Sequence, residues 1–206
     1  MTPLANPFLL LNKDGVEVQH PDDASWIFNV SKNGCLDACF LQFDADLSVI
    51  VNLNNENAKC DLKCIYLTNK NNKININIQV LHKSKKTISK QQIKGLATDQ
   101  AQVNFNGQIV IPKNSQNCDG MQSHRGILLS DKAVISATPQ LEIWADDVKC
   151  AHGSAIGPLP HEQLFYLETR GVDKASAQKL LLSSFFNDII PDDFEQSVQQ
   201  WMDENV

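Results

Sequence analysis

Between residues 25 and 112 apolar and polar side chains alternate with a period of two, the signature of short strands with one buried face. Leu47, Val49, Val51 and Leu53 fall on one face of LSVIVNL, and Ile74, Ile76, Ile78 and Val80 alternate with Asn75, Asn77 and Gln79. Val103, Phe105, Ile109 and Ile111 continue the pattern around Asn106-Gly107. Polar corners separate these runs, notably 52–57 and 69–72, where asparagine side chains can bond their own backbone and tolerate left-handed conformations. Upstream, FLLLNKDGVEVQH carries two apolar runs split by Lys13-Asp14-Gly15, which reads as a turn or hairpin signal. Evenly spaced strands with polar corners suit a sandwich, a barrel or a stacked solenoid, and the pattern alone does not choose among them.

The period changes after Gly157. Pro160 suits the first turn of a helix over PHEQLFYLETR, with Leu164, Phe165 and Leu167 as its apolar side and Gly171 placed to end it. Asp173 can cap a second helix running to Asn187, in which Ala177, Leu180, Leu181, Ser184 and Phe185 recur at helical spacing. Pro191 stops it, and Asp192 can cap a third helix with Phe194, Val198 and Trp201 on one face. The expected organisation is a β core over residues 1–157 and a helical region over 158–206. Those helices carry more phenylalanine and leucine than they can bury among themselves, so they should pack on the core or on another protein.

Composition narrows the function classes. A chain of 206 residues with 42% hydrophobic and 20% charged residues is long enough for one sizeable core and ordinary for a globular protein. A formal net charge of −6 argues against a nucleic-acid surface, which needs a clustered excess of Lys and Arg. Five lysines between 83 and 94 are interspersed with Ser, Thr and Gln and read as a solvated strand face. Met1-Thr2-Pro3 lacks a basic start, and PFLLL is too short for a signal core or membrane span, so a cytoplasmic location is expected. Six cysteines in that setting read as reduced thiols.

Candidate chemistry concentrates in PQLEIWADDVKCAHGSAIG, residues 139–157. Leu141, Ile143 and Ala145 are apolar at odd positions, but after Asp146-Asp147 the apolar phase moves to Val148. Two adjacent carboxylates are poor strand and good turn material, so a corner is expected there. Because adjacent strand residues face opposite ways, the two aspartates are not an acid/base pair. Beyond the corner Val148, Cys150 and His152 share a face of an extended chain, with Cys150 and His152 ~7 Å apart, near enough to reach one ion. Cys35 with Cys39 and Cys60 with Cys64 repeat a C-x-x-x-C spacing that a four-thiolate site tolerates. In strand-like segments, buried thiols filling a β core are the better reading. Cys118, in SQNCDG, sits in a turn-like setting that suggests exposure. No G-x-x-x-x-G-K phosphate loop is present.

The 139–157 stretch, its upstream neighbour QSHRGILLSDKAVISATPQ and the downstream LFYLETRG resemble the C-terminal half of the SufD/SufB family, scaffolds of iron-sulfur cluster assembly. The likeness runs from about Gly95 to Ile190, and the ADDVKCAHG core is similar to the SufD branch. His124 and Gly126 stand where relatives carry asparagines. The resemblance implies a mainly β fold, a right-handed parallel β-helix-like core with a small C-terminal α-helical appendage. It further implies a non-catalytic scaffold subunit, with ATPase activity in a partner. Cys150 and His152 would hold a nascent iron-sulfur cluster, or iron, shared with a second chain, since two protein ligands leave a tetrahedral centre incomplete. The partner would be a SufB-like chain or a second copy of this one, meeting residues 133–152. A SufC-like ABC ATPase would dock on the helices of 158–190. Set against this stand a stand-alone metal-dependent enzyme on a β-helix, and a structural dimer half without a cluster role.

Overall fold

A computed structural model describes residues 8–206. The segment read for a targeting signal, Met1-Thr2-Pro3, and the Pro7 that opens PFLLL lie outside the described residues. Among the described residues ten strands are followed by three helices in chain order. The strands are β1 (Phe8–Asp22), β2 (Ser25–Phe43), β3 (Leu47–Leu53), β4 (Lys59–Thr68) and β5 (Lys73–His82). They continue as β6 (Ile88–Ala97), β7 (Gln102–Ile111), β8 (Cys118–Leu128), β9 (Val134–Ile143) and β10 (Val148–Pro158).

Alternation along each strand decides what stacks. Ile74, Ile76, Ile78 and Val80 of β5 are buried while Lys73, Asn75 and Asn77 are exposed. β7 repeats the pattern, and the two pair in parallel with Asn75 opposite Asn104 and Asn77 opposite Asn106. Consecutive strands do not pair; odd-numbered strands pair with odd, and even with even, in the order β10-β8-β6-β4-β2-β3-β5-β7-β9. Every two strands therefore complete one coil, and four coils, β3–β4 to β9–β10, stack as a parallel β-solenoid. Each coil turns at polar corners. Asn57, Lys70, Lys86, Asp99 and Asn117 all adopt left-handed φ between 55° and 62° there; the expectation holds at Asn57, while in corner 69–72 a lysine takes that conformation. On the outer face the same asparagines bond coil to coil, Asn104 to Asn75 at 3.1 Å and Asn106 to Asn77 at 3.0 Å.

β2 belongs to both sheets: residues 25–30 pair with β3, and residues 35–43 with β4. The antiparallel β1 covers its other edge. Lys13-Asp14-Gly15 is not the reversal its sequence suggested. The hairpin turns between Asp22 and Ser25, and Gly15, at φ +61°, makes a bulge inside β1 where the register shifts.

Side chains pointing into the coils form one apolar core that includes Phe28, Phe40, Leu62, Tyr66, Ile76 and Phe105. A second core lies on the outer face of the β2-β4-β6-β8 sheet, where Leu41, Ile65, Leu67, Leu96 and Ile127 meet the helices. These are α1 (His161–Thr169), α2 (Lys174–Phe186) and α3 (Asp192–Asn205), contributing Leu182, Phe186, Phe194, Val198 and Trp201. Asp173 caps α2 by accepting a hydrogen bond from the Ser176 backbone N–H at 3.1 Å. At α3 the cap position is Pro191 and no side chain caps it, so Asp192 serves as an acidic first-turn residue instead. No helix among the described residues is long and apolar enough to cross a membrane.

Two local expectations are corrected by the packing, and a third, the buried thiols of the C-x-x-x-C pairs, holds for Cys39, Cys60 and Cys64 but not for exposed Cys35. Lys94 leaves the solvated lysine face: it is buried, donates to the Phe185 carbonyl at 2.6 Å and pairs with Asp188, tying β6 to the end of α2. Cys118 is buried at the start of β8 rather than exposed in a turn, its thiol 3.1 Å from Thr87 Oγ1. The two C-x-x-x-C pairs lie on opposite sides of one sheet. Cys60 and Cys64 point into the coil core while Cys39 faces the helices, because Leu36 and Phe40, not Cys35 and Cys39, are their register partners.

Candidate functional site

Asp146 and Asp147 form the expected corner between β9 and β10, held by a hydrogen bond from the Asn117 backbone N–H to the Asp147 carbonyl at 2.6 Å. The phase change seen in the sequence follows from it: Leu141 lies on the inward face of β9, and Val148 resumes that face on β10. Among the described residues β9 pairs only with β7 and β10 only with β8, so this coil is the last of their stack. Along β10 the residues from Lys149 to Ile156 are exposed except Cys150, which is half-buried.

Cys150 and His152 sit on the same face of β10, the face that continues the interior. Parallel register places Cys150 beside Gly120, His152 beside Gln122 and Ser154 beside His124. The Cys150 thiol lies over the Gly120 backbone, 3.4 Å from where a Cβ would stand, so the glycine leaves space the sulfur uses. Burial pushes the Cys150 thiol pKa up, partly opposed by a hydrogen bond from the Gly120 backbone. The sulfur is thus held as a thiol until a metal or a positive partner lowers its pKa.

Beneath the pair runs a polar column that sequence inspection did not single out. His82 lies between Thr87 Oγ1 at 2.8 Å and Ser89 Oγ at 2.9 Å. His124 lies between Tyr66 Oη at 2.9 Å and Ser154 Oγ at 3.1 Å, with its ring stacked on Phe105 at 4.7 Å. Burial drives both imidazoles down to about 4, so they are neutral at physiological pH. His124 and Ser154 thereby tie β10 to the coil below. Gly126 gives the Tyr66 hydroxyl room, its would-be Cβ standing 3.3 Å away. The signal for this column was present as His, Ser and Gln at inward-phase positions of otherwise apolar strands.

Cys39, Cys60 and Cys64 are not part of the site. Burial raises Cys39 to about 12 and Cys60 and Cys64 further still, as expected of core thiols. Among the described residues no group of three or more His, Cys, Asp or Glu is placed to hold a metal ion. A thiol and an imidazole are soft and borderline donors suited to iron or iron-sulfur species, and two of them leave coordination positions open.

Fold and site together define a β-solenoid protein that presents a sulfur and a nitrogen donor at the uncovered last coil of its stack. Residues 31–185 match the family described as SUF system FeS cluster assembly, SufBD core domain. The chain belongs to that family. It is similar to the iron-sulfur cluster assembly protein SufD of Escherichia coli, with 32% identity over 133 residues, 65% of this chain and 31% of that protein. SufD of Bacillus subtilis is 29% identical over 139 residues, 68% of this chain and 32% of the relative. Protein ABCI7, chloroplastic, of Arabidopsis thaliana is 39% identical over 95 residues, 46% and 20% of the two chains. The chain spans about a third or less of these relatives' length.

Proposed function

We propose that this chain is a non-catalytic scaffold subunit of SUF iron-sulfur cluster assembly, working in the cytoplasm. A SufB-like chain, or a second copy of this one, meets the last coil through residues 133–152. Cys150 and His152 then supply part of the coordination of a transient cluster or iron, and the companion chain or sulfide supplies the rest. The observation that carries this reading is the position of the pair: both donors lie on the inward-phase face of the one coil that has no coil above it. A second solenoid end meeting that face would enclose them and complete the ligand set that two residues cannot. A SufC-type ATPase docks on the helices of 158–190, where Phe165, Tyr166 and Leu180 stay 54–60% exposed although the opposite helix surfaces are packed on the sheet.

His152→Ala tests the site. The variant is expected to keep the assembled complex, seen by native mass measurement in its own cell, and to lose most maturation of iron-sulfur enzymes. Normal maturation by His152→Ala overturns the role of the pair. Truncation of α1 and α2 should release the ATPase from a pull-down; retention of the ATPase removes the docking assignment.

A further inference from the structure

Two glutamines stand inside the last coils, where hydrocarbon would be expected. Gln91 of β6 and Gln122 of β8 are register partners on the inward face, 1% and 3% exposed. Gln122 Nε2 donates to Gln91 Oε1 at 2.7 Å. The ladder this begins is unfinished at both ends: Gln91 Nε2 and Gln122 Oε1 have no hydrogen-bond partner. On the β4 side the next rung is Leu62, which has none to give. On the β10 side the next rung is His152.

The direction of the free oxygen follows from the amide itself. Nε2 and Oε1 diverge from Cδ, so an amide whose nitrogen is turned toward Gln91 turns its oxygen away from β6, to the side on which β10 pairs with β8. Gly107, across the interior, holds the group in place: a Cβ there would stand 2.4 Å from Oε1 and 2.5 Å from Nε2, so a side chain at 107 would evict the amide. Buried carbonyl oxygens are rarely left unpaired, and a metal-ligating imidazole almost always gives its second N–H to a carboxylate, carbonyl or water. Gln122 offers that acceptor one strand away from His152.

We propose that Gln122 is the positioning residue of His152: its free Oε1 accepts one ring N–H, fixes the tautomer and leaves the other nitrogen directed out of the solenoid end. This rests on the reading of His152 as a donor. It explains why a polar pair stands on a column that uses Ala38 and Leu62 in the coils before it. Gln91 in turn fixes which end of the Gln122 amide faces β10.

Nitrogen-15 imidazole NMR of the full chain at alkaline pH reads the tautomer of His152 directly. Exposed His161 in the same spectrum is the internal reference. The expected result is a tautomer ratio for His152 at least about threefold away from that of His161, the bias one modest hydrogen bond gives. Gln122→Met, similar in volume but without the oxygen, should return His152 to the His161 ratio, and Gln122→Glu, which keeps an acceptor, should preserve the bias. Unchanged signals of buried His82 and His124 establish that each variant is folded. An unbiased His152 in the parent chain, a bias that survives Gln122→Met, or one reversed by Gln122→Glu overturns the proposal. These readings need no cluster and no partner, so they fail separately from the maturation assay on His152→Ala.

Discussion

His82 and His124 are held neutral by burial, with pKa values driven down to about 4 from 6.5. In the unfolded chain both titrate near 6.5, so between about 6.5 and 4 the unfolded state binds more protons and stability must fall as pH falls. The penalty is absent above about pH 6.5 and complete below about pH 4, and for the two rings together it is on the order of a few kcal/mol. Urea unfolding should show a lower midpoint at about pH 5 than at about pH 7.5, with His124→Gln removing part of the difference. An equal or higher midpoint at the acid pH contradicts the neutral buried pair. At this scale sequence reading was weakest. His124 was noticed but given no partner, because its contacts, Tyr66 and Ser154, lie 58 and 30 residues away along the chain. Cys118 was misplaced for a similar reason, since a turn-like local sequence does not show that Thr87 from the neighbouring coil covers it. Cys150 and His152 were legible because their common phase on one strand is a local property.

Elements were legible where their signal is local and periodic. β5 and β7 followed from strict alternation, and α2 began at the cap its aspartate announced. Asp173→Ala should therefore lower a denaturation midpoint modestly, since the Ser176 N–H loses its acceptor in an exposed first turn. A change near zero means that packing of Leu182 and Phe186 on the sheet fixes α2 unaided. Lys13-Asp14-Gly15 misled because glycine with a left-handed φ serves a bulge as well as a turn. What distinguishes them is whether the flanking segments pair with each other or with a third, and here both pair with β2. Lys94 escaped a composition-based reading because the α2 end that covers it arrives from 91 residues downstream.

For the whole molecule, alternation alone left sandwich, barrel and solenoid open. Choosing among them depends on which strands pair, and parallel pairs such as Asn75–Asn104 are 29 residues apart. Resemblance to a family, not periodicity, resolved that choice. Thiol exposure gives a test of the proposed interface. Among the six cysteines Cys35 is exposed and Cys150 half-buried, while Cys39, Cys60, Cys64 and Cys118 are buried. Brief alkylation of the native chain should label Cys35 first and Cys150 more slowly, with the other four reacting only after unfolding. In the assembled complex Cys150 should become protected while Cys35 stays reactive. If Cys150 labels equally fast free and assembled, residues 133–152 are not the meeting surface.

The two terminal coils are unlike. β1, bulged at Gly15 and carrying Lys13, Asp14 and Glu17, lies along the first, whereas β9 and β10 end the stack with unpaired backbone edges. Stacking that uses only the second of these is self-terminating. A contact that uses that one surface on each of two copies is isologous and closes at a pair, so growth into fibres through it is shut off by geometry.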